Sequence, residues 1–464
     1  MILLVSNQQS LFRSNKYRVV EFEYAMSFLY PMRIVQLDTE TSGLDCFTKK
    51  LLTIQLGNKD VQVVFDWDSL TLAQIKVLKE YLESDDRVFL GWNLLFDLRF
   101  LYVNDIWPNN LWDGMLAEKL LYLGFPAGIH EMSLKAAAWN YLQYDLDKSV
   151  RGKIINVGLT EEVVVYAAGD VMHLEDIKNA QEVEIKKKEL EKAVQFENIF
   201  LKCLAYIEIC GVKLDIPRWK RKIEADRAKM VEAENALNEW TVNWCLEHPK
   251  EAGGRVYNYI EVYNKNNLKP FEIQAIQGLL NQGFVRDMSE DAEGDFGLQK
   301  MCFVKATDCA FISVDFQGNL FTGFNTKPKC TINWGSSKQV IKFLKLLGFN
   351  LKTFDKATKK EKESVDAKII KSQLDVSPIA EIYLKYTEAR KVVSTYGDNW
   401  IKAINPVSGR IHPDYYQLGT DTGRLSCGGG LTGVNVQNIP HDKETRACFI
   451  ASKGYKWISA DYQG

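Results

Sequence analysis

The sequence predicts an α/β domain, followed by a mainly helical region and then by the beginning of an α+β domain. Three observations support this order. Closely spaced strand patterns occupy the first part of the chain, helical patterns fill 196–245 and 336–403, and a final apolar run stops at Asp461. The length of 464 residues leads us to expect two to four domains.

The strands and helices of the first part follow from its apolar periodicity. The segment 71–86 has helical spacing, with Leu72, Ile75, Leu78 and Leu82 on one face. Several helices follow up to about residue 195. Four short runs predict strands, at 33–38, 51–56, 61–65 and 87–92.

The segment 246–329 differs in character from its neighbours. It contains glycine-rich punctuation, the acidic patch SEDAEGD and a hairpin-like pattern, FISVDFQGNLFTGF. In the helical region that follows, the charged run 356–364 predicts a solvated loop.

The composition is that of a globular protein, with 46% hydrophobic and 25% charged residues. A net charge of −2 neither indicates nor excludes nucleic acid, since a basic groove can be offset by acidic surface elsewhere. The nine cysteines contain no C-x-x-C pair, which favours free thiols in a reducing cytoplasm. No signal peptide or membrane span is predicted, so we expect a cytoplasmic protein.

Asp38 and Glu40 stand two residues apart at the end of an apolar strand, so both carboxylates point to the same face. Such like charges repel each other unless a cation lies between them. Taken alone, however, this pair is more simply explained by a polar turn after a strand.

Two further pairs have a spacing of four residues. Asn93 and Asp97 lie where a strand gives way to a helix, and Tyr166 and Asp170 share one face of a predicted helix. An ordinary amphipathic helix would explain the apolar neighbours of the second pair but not Asp170. Each pair is a weak signal, whereas their order and spacing together are much harder to obtain by chance.

Together, the four carboxylates and the tyrosine resemble the tyrosine-bearing branch of the DEDD exonuclease family over residues 31–185. The resemblance implies a ribonuclease H-like fold with a mixed sheet, and hydrolysis of the 3′-terminal phosphodiester with two Mg²⁺ or Mn²⁺ ions. Asp38, Glu40 and Asp170 would hold one ion, and Asp38 with Asp97 would position the second.

The same resemblance assigns three further roles. Tyr166 would orient the attacking water, Asn93 would help to fix the site or the strand end, and Leu44 would pack against the terminal base. All the charged positions of the family are present, so we expect an active nuclease on single-stranded DNA 3′ ends.

Motifs beyond residue 195 resemble family A (polymerase-I-type) DNA polymerases, over about 196–245 and 330–464. YIEICGVKLD resembles the opening of the thumb, and LKYTEARKVVSTYGDNW resembles the helix that leads out of it. The strongest matches are the palm motifs at 410–412, 422–426, 435–440 and 446–449.

For the palm, this resemblance implies binding of primer–template DNA. Arg424, Gln437 and Asn438 are donors that could probe the minor-groove acceptors shared by all correct base pairs, and Asn435 belongs to the same DNA-binding motif. Asp461 matches the first of two palm carboxylates that bind Mg²⁺. Because the second is missing, we expect a separate C-terminal polymerase chain that arises from a split gene or an intein junction, with a truncation as the alternative.

The expected organisation has four parts, one of which contains an insertion at 246–329. Some phage members of the family bind a processivity factor at such an insertion, although a structural or DNA-tracking lobe is favoured here. We expect a proofreading replicative polymerase, phage-like and acting in the host cytoplasm. The alternatives are a stand-alone exonuclease with a duplex-holding half, and a nucleic-acid-binding fragment without activity. The parts are an N-terminal extension (1–30), the exonuclease domain (31–195), the thumb region (196–404, insertion 246–329) and the start of the palm (405–464).

Overall fold

A computed structural model gives the fold of most of the chain. Of residues 284–294, 298–305, 314–319, 323–327 and 355, only the backbone is described, and Asp461 lies outside the described residues. The described residues are 1–7, 14–125, 130–146, 159–248, 251–252, 274, 278, 284–294, 298–305, 311–319, 323–355, 360–428, 430–458 and 460.

A seven-stranded mixed sheet, in the order β2-β1-β5-β4-β3-β6-β7, organises the first part of the chain. The pairs β3–β4 and β4–β5 are antiparallel, and the other neighbours are parallel. This sheet confirms the predicted α/β class. Its strands are β1 (Ile2–Val5), β2 (Arg18–Val20), β3 (Ile34–Thr41), β4 (Leu51–Gly57), β5 (Gln62–Asp66), β6 (Val88–Gly91) and β7 (Leu111–Asp113).

The four strands that the sequence predicts correspond to β3, β4, β5 and β6. The strands β1, β2 and β7 were missed. Each has only three or four residues and pairs in parallel with its neighbours, so no tight hairpin turn marks it in the sequence.

Eight helices accompany this sheet within the described residues up to 210. The predicted helix at 71–86 is observed as α2, which begins with a Thr71–Gln74 capping box. The helices are α1 (Phe22–Leu29), α2 (Leu72–Leu82), α3 (Leu94–Val103), α4 (Gly114–Leu121), α5 (Leu134–Leu142), α6 (Glu161–Asp170), α7 (Leu174–Lys187) and α8 (Glu191–Cys210).

The two faces of the sheet differ in polarity. Val35 and Leu37 of β3 and Ile54 of β4 point into the main apolar core, where α1 to α3 also contribute. The opposite face of β3 carries Gln36, Asp38 and Glu40. Helix α6 packs against β1, β3 and β5, so this polar face lies beneath it.

The chain forms two compact units, residues 1–219 with 398–464, and residues 220–397. After β8 (Lys213–Leu214), helix α9 (Ile216–Glu247) begins in the first unit. The domain boundaries expected from the sequence stay predictions. The remaining elements of the second unit are β9 (Phe284–Gly294), β10 (Leu298–Lys305), β11 (Ile312–Asn319), β12 (Gly323–Cys330), α10 (Ser337–Leu346), β13 (Lys352–Asp355), β14 (Lys360–Glu363), α11 (Ala367–Lys371) and α12 (Ile379–Thr395).

The core of the second unit is rich in aromatic side chains, with Trp334 and Phe343 at its centre and Tyr383 against Trp334. The hairpin-like pattern of the sequence appears as the antiparallel pair β11–β12. No helix in the described parts of the chain is both long and apolar enough to cross a membrane.

The C-terminal segment of the first unit consists of short elements, and β17 pairs with β8 in antiparallel fashion. Trp219 and Trp400 pack here against Phe449. The elements are α13 (Asn399–Lys402), β15 (Tyr415–Tyr416), β16 (Ser426–Cys427), a 3-10 turn (Val436–Asn438), α14 (Lys443–Arg446) and β17 (Phe449–Ile450).

Candidate active site

Three of the predicted carboxylates form one cluster. Asp38, Glu40 and Asp170 each offer an oxygen, and these oxygens lie within 4.8 Å of one another. Asp38 and Glu40 come from one face of β3, and Asp170 is the last residue of α6. Among the described residues, this is the only group of three or more possible metal ligands. Asp38 and Glu40 are half-buried, whereas Asp170 is buried.

The chemistry of this cluster fits a hard divalent cation. Three carboxylates at this separation repel one another, and a cation between them removes the repulsion. Carboxylate oxygens are the ligands that Mg²⁺ and Mn²⁺ prefer, and the partial exposure of Asp38 and Glu40 leaves a path from solvent.

Asp97 lies beside the cluster and is hydrogen-bonded to Thr39, the residue between Asp38 and Glu40 in β3. Its Oδ1 accepts hydrogen bonds from the Thr39 backbone N–H at 3.0 Å and from the Thr39 hydroxyl at 2.5 Å. Asp97 is 3% exposed. Burial raises its pKa to about 7, although the Thr39 hydroxyl acts in the opposite direction.

Tyr166 is the second member of the site contributed by α6, one turn before Asp170. Burial and the negative charges of Asp170 and Glu40 raise the pKa of its phenol, and the hydrogen bond with Asp170 acts in the same direction. The phenol therefore stays protonated at neutral pH, and its hydroxyl can donate a hydrogen bond. The predicted helical pairing of Tyr166 with Asp170 is confirmed.

Asp113, which sequence analysis missed, fixes the turn that begins α3. Asn93 at this turn has a left-handed φ of 65°. The backbone N–H of Asn93 and that of Leu94 donate to the two oxygens of Asp113, at 3.1 and 2.7 Å. Asp113 also caps α4 through Met115. An Asp directly before a helix is a recognisable capping signal, but its second partner comes from a distant turn.

Leu44 and Asn93 are the two other positions that the sequence places at the exonuclease site. Leu44 is 57% exposed on the loop after β3. Asn93 precedes the first residue of α3, and its side chain makes no capping hydrogen bond. Their assigned roles stay predictions.

The predicted DNA-binding residues of the palm are grouped together. Asn435 is the N-cap directly before the 3-10 turn, and its Oδ1 accepts from the backbone N–H groups of Gln437 and Asn438, at 3.0 and 3.2 Å. Gln437 Nε2 donates to the carbonyl of Leu425, the residue after Arg424, at 3.4 Å. Arg424, Gln437 and Asn438 are exposed.

Two family models match the chain. One, described as 3′-5′ exonuclease, matches residues 18–186, and the other, described as DNA polymerase family A, matches residues 323–464. The first range contains the carboxylate cluster. The second contains Arg424, Asn435, Gln437 and Asn438, which we call the palm group.

Two relatives and one solved structure match almost the whole chain at low identity. The DNA polymerase I of Borreliella burgdorferi is 24% identical over 96% of this chain, and that of Aquifex aeolicus is 22% identical over 92%. The chain spans only 40% and 57% of their lengths. The structure of the POL domain of Pol1 from M. smegmatis, in complex with DNA primer-template and dNTP, is similar in fold, with a TM-score of 0.57 and 15% identity over 91% of this chain and 55% of that one.

Proposed function

We propose that this chain removes nucleotides from DNA 3′ ends as a proofreading activity in replication. It belongs to DNA polymerase family A and joins a 3′–5′ exonuclease domain to part of the polymerase domain. The convergence of Asp38, Glu40 and Asp170 carries this proposal. These residues come from two elements separated by more than 100 residues in the sequence, and the matched exonuclease range contains them all.

The reaction is hydrolysis of the last phosphodiester bond. The oxygen of a water molecule bonds to phosphorus, the bond to the 3′ oxygen of the preceding nucleotide breaks, and that oxygen takes up a proton. Two bound Mg²⁺ or Mn²⁺ ions would lower the pKa of this water and stabilise the attacking and leaving oxygens. Asp38, Glu40 and Asp170 would hold one ion, and Asp38 with Asp97 would hold the other.

The chain's own groups orient the reactants. The protonated Tyr166 phenol donates its hydrogen bond to Asp170, and its oxygen would accept a hydrogen bond from the attacking water and so orient it. Thr39 keeps Asp97 next to the strand that carries Asp38 and Glu40. On the exposed loop, Leu44 would pack against the terminal base, and Asn93 would help to fix the site.

The palm group suggests that the same protein grips primer–template DNA. Arg424, Gln437 and Asn438 offer exposed donors suited to the acceptors that all correct pairs present in the minor groove. We infer that nucleotide addition requires Asp461 and the rest of the polymerase domain, either continuous with this sequence or supplied by a separate chain. A cytoplasmic location and a phage origin belong to the same proposal, in which a structural or DNA-tracking lobe at 246–329 is favoured over a site for a processivity factor.

The exonuclease proposal is tested with a 5′-labelled single-stranded oligonucleotide and Mg²⁺. We expect stepwise shortening, which stops with a chelator and returns when Mg²⁺ or Mn²⁺ is restored. Asp38→Ala should lower the rate at least about 100-fold, whereas Asp60→Ala, at an exposed carboxylate outside the cluster, should not. Shortening that persists in chelator would refute a metal-dependent exonuclease.

The polymerase proposal is tested separately, with a primer–template and the four nucleotides. Extension is expected only when a polypeptide carrying the rest of the polymerase domain is present, and Asp461→Ala should abolish it without affecting shortening. Absence of extension with a folded, bound complement would favour a stand-alone exonuclease whose polymerase-like half holds duplex DNA.

A further inference from the structure

Gln36 is a buried glutamine in the strand that carries two of the clustered carboxylates. It lies two residues before Asp38 in β3, so the two side chains point to the same face of the sheet. Only 1% of Gln36 is exposed. A buried amide is costly unless hydrogen bonds satisfy it, so its partners indicate its role.

Both functional groups of Gln36 bind the link between α6 and α7. Its Oε1 accepts from the Leu174 N–H at 2.5 Å, and its Nε2 donates to the Met172 carbonyl at 3.4 Å. Leu174 is the first residue of α7, where an N–H has no partner within the helix. His173, at the N-cap position, makes no side-chain cap. Gln36 therefore caps α7 from the neighbouring strand.

The link that Gln36 holds begins directly after Asp170. Met172 is two residues beyond this carboxylate, and Asp38 is two residues beyond Gln36 in β3. The Gln36 amide thus ties the segment after Asp170 to the strand that carries Asp38 and Glu40. On its other side, Asp170 is hydrogen-bonded to Tyr166 within α6.

We propose that Gln36 is a positioning residue that holds Asp170 against the Asp38–Glu40 pair, so that the three carboxylates form one divalent-cation site. The proposal rests on the proposed exonuclease function. Without a cation, repulsion among the carboxylates favours their separation, and α6 has to be held in place against it. Supports of this kind commonly determine how tightly a metal site binds.

The test compares Gln36→Met with Gln62→Met. Gln62 is a matched control because it is also fully buried and lies on the same face of the sheet, across Gly57 from Gln36, but its amide donates to Asn58 O at 2.6 Å. Methionine keeps the length of the side chain and removes the hydrogen bonds. Mn²⁺ binding to the DNA-free protein is measured by the loss of the free-ion EPR signal.

We expect Gln36→Met to bind Mn²⁺ about tenfold more weakly than the wild type and Gln62→Met to bind it normally. The Mn²⁺ concentration for half-maximal nuclease activity should rise by the same factor in Gln36→Met, while the KM for the oligonucleotide at saturating metal stays constant. Equal Mn²⁺ affinity in wild-type protein and folded Gln36→Met would overturn the positioning role.

A second measurement needs no change at Gln36. In the wild type, Mn²⁺ should slow hydrogen exchange of the backbone amides at 171–175, and Asp170→Asn should lose this effect. If Mn²⁺ binds and these amides exchange as before, the coupling does not exist. Wild-type protein that neither binds Mn²⁺ nor shortens DNA would instead refute the proposed function, so the two failures are distinguishable.

Discussion

Thr39 binds Asp97 through two hydrogen bonds to one oxygen, from its backbone N–H at 3.0 Å and its hydroxyl at 2.5 Å. The pairing of β6 with β3 ends at Gln36, so β6 does not extend alongside Thr39. The Thr39 N–H therefore has no partner in β6, and it donates instead to Asp97, which lies in the helix that follows β6. A carboxylate from a helix is thereby fixed beside the strand that carries Asp38 and Glu40.

The metal-free protein should lose stability as the pH rises from about 4 to about 7. Burial raises the pKa of Asp97 to about 7, against about 3.9 in an unfolded chain. Between these values the folded state binds more protons than the unfolded state, so the free energy of unfolding falls with increasing pH. Urea denaturation in chelator, at several pH values, measures this slope.

The Asp97→Asn variant is the control for that slope, because its amide does not titrate. Part of the slope should remain, since burial also raises the pKa of Glu208 to about 7. If Asp97→Asn has the same pH dependence as the wild type, Asp97 does not titrate in this range.

The local placement of the site residues could be predicted from the sequence, but their convergence could not be derived from spacing alone. Asp38 and Glu40 share a face because a strand alternates, and Tyr166 and Asp170 share a face because a helix turns every 3.6 residues. No local rule brings α6 to β3. The resemblance to known exonucleases supplied that expectation.

The residues that sequence reasoning missed act through partners distant in the sequence. Gln36 binds Met172 and Leu174, more than 130 positions away, and Asp113 binds the turn at Asn93. A buried polar side chain gives no sign in the sequence of which backbone group will satisfy it. Such supporting contacts become visible only when the tertiary structure is known.

Tyr166→Phe should lower kcat of the exonuclease roughly 10- to 100-fold, because the attacking water loses a directing hydrogen bond while the ring still packs. Mn²⁺ binding and thermal stability should change little. Tyr24→Phe, which removes a hydroxyl from a 40% exposed side chain in α1, is the control. Single-turnover rates at saturating metal separate this effect from binding. A Tyr166→Phe rate equal to that of Tyr24→Phe would exclude the phenol from the reaction.

Asn435→Ala should weaken binding to blunt duplex DNA, because the turn that presents Gln437 and Asn438 loses its cap. The Asn435 side chain accepts from both backbone N–H groups and donates to the Cys427 carbonyl. Loss of a cap costs roughly 1–2 kcal/mol of stability. Fluorescence anisotropy with duplexes of different sequence measures the binding.

Asn435→Ser provides the graded control, since its neutral hydroxyl keeps an acceptor that can cap the turn and loses the amide that donates to Cys427. We expect its duplex affinity to lie between those of the wild type and Asn435→Ala. Equal affinity in all three proteins would mean that this turn does not contribute to DNA binding.

Arg99→Met should destabilise the first unit strongly at pH 8 and less at pH 5. Arg99 Nη1 lies 3.1 Å from Asp414 Oδ1 and 3.3 Å from Glu208 Oε2, and the Glu208 side chain is only 2% exposed. Removing the guanidinium leaves the buried Glu208 carboxylate and the half-buried Asp414 carboxylate without their cation, at a cost of about 3–5 kcal/mol. At pH 5 the cost falls, because burial raises the pKa of Glu208 to about 7 and the carboxyl is already protonated.

Urea denaturation at the two pH values checks this, with Arg33→Met as the exposed control. Arg33 pairs with Asp86 at the surface, where loss of an ion pair costs at most about 1 kcal/mol. Adding Glu208→Gln to Arg99→Met should recover part of the lost stability at pH 8, because a neutral amide needs no counter-charge. A cost at pH 8 no larger than that of Arg33→Met would show that Arg99 does not compensate these carboxylates.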